Sequence, residues 1–233
     1  MIALLLPLLP LPFATPLQSG KQSLRTVALL FSLTLLSACQ SIAPPADENP
    51  NWTQLRNQLE ALEDWQLRGR VNVQYDNESY TPRIIWQQQQ EYYRIRLWGT
   101  FNAGNTLING QPGNVIMESD GETFTASSPE SLILQQLGYE LPVSYLEYWV
   151  RGLPAPGSRA QTTFNTENHL TQLQQDGWTV IYTDPRQYGS VSLPRRVEVT
   201  RLRNDVRLRF VGLDWTLAGD EDFEAFELAE TND

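Results

Sequence analysis

"WQLRGRVNVQYD", residues 65–76, reads as two interleaved series. Trp65, Leu67, Gly69, Val71, Val73 and Tyr75 alternate with Gln66, Arg68, Arg70, Asn72, Gln74 and Asp76. Successive side chains of a strand point to opposite faces, so this alternation predicts a long strand with one face buried and one wet. A half-wetted strand belongs to an antiparallel sheet rather than to a doubly covered parallel one.

The same period runs outward from this stretch. "SYTPRIIWQQQ" (79–89) and "EYYRIRLW" (91–98) follow as strands, with Tyr93, Ile95 and Leu97 on one face. Short strands follow at "NTLIN" (105–109), "NVIMES" (114–119) and "ETFTAS" (122–127), separated by the turn signals "GQPG" and "SDG". Strands resume at "HLTQLQQ" (169–175), "GWTVIYTD" (177–184), "LPRRVEVTRL" (193–202) and "DVRLRFVGL" (205–213), with turns at Gly177 and Asn204-Asp205. Two helical interruptions stand out. Asn51 can cap a helix bearing Leu55, Leu59 and Leu62. In "SPESLILQQLGYELPVSYLEYWVRGLP" (128–154), Ser128-Pro129 opens one helical patch, Gly138 stops it, and Pro154 lies beyond a second. The expected fold class is mainly β (α+β): an incomplete antiparallel β-barrel of about eleven strands, because a sheet of this size must curl. The largely apolar helical insertion then forms a lid that encloses an apolar cavity.

Ahead of this domain, Lys21 and Arg25 precede the apolar run "TVALLFSLTLLS", which ends in the small pair Ser37-Ala38 before Cys39. A charged region, a short apolar stretch and small residues describe a secretory signal, and the run is too short for a comfortable membrane span. Leu36-Ser37-Ala38-Cys39 also looks like the lipobox of bacterial lipoproteins, in which the cysteine is acylated and becomes the mature N-terminus; the alternative is an ordinary signal peptide with a chance cysteine. Residues 1–20, with four prolines ahead of the charges, fit no signal plan and read as an over-extended start. Residues 1–38 are therefore taken as the signal region, 39–50 as a lipidated tether, 51–215 as the folded domain and 216–233 as an acidic, disordered tail. Cys39 is the only cysteine, so no internal disulfide supports the fold.

Lys21 and Arg25 are the only charges before Cys39, so of 17 basic and 27 acidic residues the mature chain keeps 15 and 27, a net charge of −12. Such a balance argues against nucleic acid, whose affinity rests on basic side chains. Eight of the acids fall after residue 213, in a tail that reads as a solvated extension.

Signals of catalysis are thin. The single histidine, His169, sits in the polar, turn-like "TENHLTQ", and no His/Cys cluster has metal spacing. No G-x-S-x-G elbow, phosphate loop or dinucleotide fingerprint is present. Carboxylate neighbours such as Glu63-Asp64 read as solvated. The expectation is a non-enzyme with no catalytic residue, no metal and no cofactor. Large apolar side chains are abundant instead: seven tryptophans, nine tyrosines and eight phenylalanines.

Over most of residues 50–215 the chain resembles the LolB family of outer-membrane lipoprotein receptors. The resemblance is carried, in order, by "RGRVNV", "IIWQQ", "YYRIRL", the glycine-bearing loop "WGTFNAGN", "GQPGNV", "LPV…WVRGLP", "GWTVIY" and "LPRRVEV". It implies an acyl-binding cavity rather than an active site, and lidded-barrel architecture. It implies lipidation at Cys39, with Gln40 in place of the Asp that retains many lipoproteins in the inner membrane. Implied partners are a LolA-like periplasmic carrier, the acyl chains of lipoprotein cargo and the inner leaflet of the outer membrane, with no nucleic acid and a monomeric receptor. On the strand faces read above, the acyl-binding residues are Val71, Val73, Ile84, Trp86, Ile95 and Leu97. Phe101 matches the apolar residue at the tip of the family's membrane-insertion loop; it either folds back as a plug or projects into solvent. The other reading is an envelope scaffold lipoprotein whose aromatics only pack a core; a hydrolase stands third, weakened by the absent nucleophile motif.

Overall fold

The computed structural model describes residues 50–99, 105–138, 140–201 and 206–226. A helix, α1 (Pro50–Glu60), leads into β1 (Asp64–Tyr75), β2 (Glu78–Tyr80), β3 (Arg83–Gln89), β4 (Tyr92–Trp98), β5 (Thr106–Gln111), β6 (Asn114–Ser119) and β7 (Glu122–Ala126). Helices α2 (Pro129–Leu137) and α3 (Val143–Trp149) follow, then β8 (Ala160–Phe164), β9 (Leu170–Gln175), β10 (Trp178–Tyr188), β11 (Val191–Arg201) and β12 (Val206–Leu217).

All twelve strands form one antiparallel sheet in the order β7-β6-β5-β4-β3-β1-β12-β11-β10-β9-β8, with β2 also paired to β1. The sheet is not closed. Its two edges, β7 and β8, are joined by the segment that carries α2 and α3, so the helices come from the gap a closed barrel would seal. The incomplete barrel with helices is therefore the observed architecture.

Local chemistry explains most joints. At the β6–β7 and β9–β10 turns, Asp120-Gly121 and Asp176-Gly177 all take positive φ, as tight two-residue hairpins demand. Ser128 caps α2: its hydroxyl accepts from the Ser131 amide at 3.1 Å, Pro129 stands in the first turn and Gly138 closes the helix. Two strands exceed the expected series. "SYTPRIIWQQQ" is two strands, because Pro82 has no N–H to give a ladder and its carbonyl instead accepts from the Val71 amide at 3.1 Å. "AQTTF" at 160–164 is also a strand, β8, although its polar composition gives no apolar alternation. The helix near 51 starts at Pro50 rather than being capped by Asn51, and Leu62 lies beyond its end. Strand β12 runs to Leu217, two residues past the boundary expected at 215.

The inner face of the sheet is the core. Register places Leu67, Trp86, Ile95, Ile108 and Met117 in one row across β1, β3, β4, β5 and β6. Val71 stands opposite Phe210, and Trp65 packs at 5.5 Å from Trp86 and 5.4 Å from Trp215. Glycine is required at one point of this face: the Tyr93 ring lies directly over its cross-strand partner Gly110, where a Cβ would collide with it.

Candidate functional site

The inner face, roofed by helices, is the candidate site. The first of its positions come from strand periodicity alone. Val71, Ile84, Trp86 and Ile95 are buried on the inner face, and Val73 and Leu97 are partly buried against the same core. Cys39 and Phe101, the expected lipidation and membrane-insertion residues, lie outside the described residues.

Helices reach this face through buried polar contacts. The Trp149 indole of α3 donates to Gln175 Oε1 on β9 at 2.9 Å. Gln175, 2% exposed, also accepts from the Ala155 amide at 2.9 Å and donates to the Ala155 carbonyl at 2.7 Å. One glutamine thus pins α3 and the loop after it to the sheet. It satisfies groups that would otherwise each cost about 1–3 kcal/mol when buried unpaired. Between α2 and α3, Glu130 accepts from the Ser144 amide at 2.7 Å.

Arg151, just after α3, ties the remaining helix in. It is 5% exposed and donates from Nη1 to the carbonyl of Leu59 (3.0 Å), which also accepts from the Leu62 amide at 3.2 Å, and to that of Leu62 (2.8 Å), just past the end of α1. Nε donates to the Glu147 carbonyl at 3.1 Å, and Nη2 lies 3.7 Å from Glu147 Oε1. The guanidinium also lies over the rings of Trp65 and Tyr148, 5.7 and 5.6 Å from their centroids. Burial holds the Arg151 pKa below its ordinary value, with Glu147 opposing; burial holds the Glu147 carboxyl above its ordinary value, with Arg151 opposing. Desolvation therefore outweighs the attraction of a 3.7 Å pair, and the carbonyl bonds, not the ion pair, are what Arg151 contributes.

Two pockets meet at Arg151, which lines both. One, of about 280 Å³, lies between α1 (Trp52, Leu55, Leu59) and strands β10–β11 (Tyr182, Leu193), and its walls are overwhelmingly apolar. The Tyr182 hydroxyl there is buried without a partner, and burial pushes its pKa up. The other, of about 690 Å³, lies between α3 and the β3–β5 side of the sheet, lined by Trp86, Tyr93, Val143 and Tyr148 with Glu60 and Glu147. Of the six expected acyl-binding residues, Trp86 lines one of these pockets; the other five belong to the packed face beside it.

Sequence reasoning passed over the α1 groove, Gln175 and Arg151. Arg151 left a signal: a lone charge in the apolar run from Tyr148 to Leu153 is too costly to bury unless it has partners. His169 is half exposed in the β8–β9 turn, where its amide donates to Asn165 Oδ1 at 2.9 Å. Among the described residues no group of three or more His, Cys, Asp or Glu side chains could hold a metal ion, and no helix is long and apolar enough to cross a membrane.

A family model described as "Outer membrane lipoprotein LolB" matches residues 63–215. The outer-membrane lipoprotein LolB of Stutzerimonas stutzeri is 37% identical over 187 residues, covering 78% of this chain and 90% of the relative. That of Pseudomonas putida is 39% identical over 165 residues, covering 70% and 80%. Among solved structures, a LolA-superfamily protein from Nitrosomonas europaea aligns with a TM-score of 0.47 and 9% identity, covering 70% of this chain and 90% of that one.

Proposed function

This chain belongs to the LolB family of outer-membrane lipoproteins, and on that premise we propose that it is a receptor for lipoproteins in transit. It accepts them from a LolA-like periplasmic carrier, holds their acyl chains on the inner face of its sheet and inserts them into the outer membrane. Acylated Cys39 anchors it to that membrane facing the periplasm, and Phe101 enters the bilayer interface during release.

The observation that carries this reading is an apolar groove between α1 and the sheet, closed by a helix whose end is held by a single buried arginine. Exposing each acyl methylene to water costs about 0.8 kcal/mol, so cargo must pass from one apolar surface to another. A groove under a helix that swings away meets that need by enlarging the pockets already present at rest. Val71, Val73, Ile84, Trp86, Ile95 and Leu97 extend the apolar surface as the roof lifts. The unpaired Tyr182 hydroxyl is a donor that an entering acyl ester carbonyl would satisfy. No nucleotide is required: transfer runs downhill if the receptor binds acyl chains more tightly than the carrier, and the bilayer more tightly still.

The test is a two-stage reconstitution. Carrier loaded with an acyl-labelled lipoprotein is mixed with the receptor, and handover is scored separately from delivery to liposomes. Handover and delivery by the wild type are expected; Phe101→Glu should accept cargo and fail to deliver it, while Phe101→Leu delivers. Normal delivery by Phe101→Glu refutes the loop assignment, and absence of any handover refutes the receptor reading.

A further inference from the structure

The outer face of the sheet gathers a cluster of arginines on one half and a run of acids on the other. In one cross-strand row stand Arg196, Val211, Arg70, Arg83 and Trp98, on β11, β12, β1, β3 and β4. The neighbouring row holds Asp214, Arg68, Ile85, Arg96 and Leu107. All five arginines are exposed, and none forms an ion pair with a described residue. Asp214 stands at one end of the second row and accepts from the Tyr188 hydroxyl at 3.2 Å; at its other end Leu107 faces Glu118 of β6, which lines a shallow pocket together with Arg96. Arg70 directly opposite Arg83 is a like-charge cross-strand pair, which disfavours the sheet. A chain of net charge −10 has acids to spare for such a pair, and neither Arg70 nor Arg83 forms an ion pair with a described residue.

A denser run of acids lies on the other half of the same face. Beyond β12 the chain turns back: the Ala218 amide donates to the Asp64 carbonyl at 3.2 Å, and Gln87 Nε2 donates to the Glu224 carbonyl at 3.2 Å. The Phe226 amide donates to Gln89 Oε1 at 3.2 Å, and the Arg94 guanidinium lies 4.6 Å from the Phe226 ring centroid. This strap carries Asp220, Glu221, Asp222 and Glu224 across the end of β3 at Gln87–Gln89. Arg83, at the other end of β3, is roughly 13 Å from Gln87 and roughly 20 Å from Gln89 at about 3.3 Å per residue. The row of Arg70 and Arg83 is therefore clear of the strap, while Arg68 and Arg96 stand beside it and remain exposed.

We propose that the arginine half of the outer face is a docking surface for the phosphates of anionic phospholipids, and that the acidic strap turns the opposite half away from the bilayer. Guanidinium groups pair with phosphate in a planar fork. The interleaved Trp98, Ile85, Val211 and Leu107 suit the apolar boundary of a bilayer better than the surface of an acidic protein. The rows cross five strands, roughly 19 Å at about 4.8 Å per strand, a breadth that meets several headgroups together. The inference rests on the outer-membrane placement proposed above, and it gives the tethered domain an orientation, with Trp98, where β4 ends, nearest the lipid.

The experiment uses the lipidated protein in vesicles of phosphatidylcholine alone or with about a third phosphatidylglycerol, a content that supplies the surface charge to which basic residues respond. Phenylglyoxal modification of each arginine is followed by mass spectrometry. Arg70, Arg83 and Arg96 should react about 5-fold more slowly on the anionic vesicles, and salt near 0.5 M should remove the difference. Arg159 and Arg186, exposed and outside both rows, should react alike on both. The double variant Arg70→Gln/Arg83→Gln, at exposed positions the fold does not need, should lose the protection of Arg96 and Arg196. Equal rates on the two vesicles overturn the proposal; so does protection that appears on neutral vesicles only when the carrier protein is added, since the partner is then a protein. Delivery of acyl-labelled lipoprotein is scored on the same vesicles. Protection without delivery supports the docking surface and defeats the receptor reading; delivery without protection does the reverse.

Discussion

Replacing Arg151 with methionine tests whether α1 is held as the structure indicates. The substitution removes two donors to the Leu59 and Leu62 carbonyls and the ring contacts with Trp65 and Tyr148, and it strands Glu147. A hydrogen bond from a charged donor contributes about 1.5–3 kcal/mol, so two lost bonds amount to about 3–6 kcal/mol. Relief of the arginine's own desolvation and the packing of the methionine return part of that. A net loss of about 3 kcal/mol is expected, a sizeable share of the roughly 5–15 kcal/mol that stabilises a domain. Urea unfolding followed by tryptophan fluorescence measures it, since Trp65 and Trp149 are both fully buried. Arg151→Lys should not restore stability, because a single ammonium cannot serve two carbonyls and Glu147 in one plane. Adding Glu147→Gln to Arg151→Met should recover part of the loss by removing the stranded carboxylate. In an uptake assay with an environment-sensitive acyl probe, the freed helix should admit probe faster. A loss below about 1 kcal/mol, the worth of an ordinary neutral hydrogen bond, would refute the claim that Arg151 latches the roof.

Glu147→Gln alone has a pH signature: the folded carboxyl titrates above its ordinary value, so ionisation destabilises the fold as pH rises through that range. The variant should therefore gain stability over wild type at pH 7 and lose that gain below about pH 4, where both forms are neutral; a gain that persists at low pH contradicts the assignment. Ile95→Glu puts a carboxylate on the buried inner face beside Trp86 and Ile108, so probe uptake should fall. Unchanged uptake would remove Ile95 from the acyl surface. Gly110→Ala forces the Tyr93 ring off the sheet and should cost roughly 1–3 kcal/mol, as overpacking does, while Gly110→Ala/Tyr93→Ala should cost less than either change predicts by addition; strict additivity in the double variant would show that the ring does not meet this position.

What the linear chain determined by itself was local. The alternation from Trp65 to Tyr75 assigns each side chain to a face without knowledge of any partner, because strand geometry has a period of two. Ser128, Pro129 and Gly138 mark the ends of α2 through their own hydrogen bonds and backbone preferences, and Asp120-Gly121 and Asp176-Gly177 mark hairpins in the same way. Tertiary structure decided whatever depends on residues distant in sequence. β8 is a strand because β9 supplies its ladder, not because "AQTTF" favours one. Arg151 is affordable in the core only because the carbonyls of Leu59 and Leu62, some ninety positions earlier, end a helix beside it. The arginines of the outer face are spread from Arg68 to Arg196 along the chain, and strand register alone collects them into two rows. The acidic tail, a solvated extension by composition, is held as far as Phe226 by Gln87, Gln89 and Arg94, whose side chains meet it only because β3 and β4 present them on the outer face. Periodicity sets which way a side chain points; which other side chains it meets there is a property of register, and register is settled by the folded sheet as a whole.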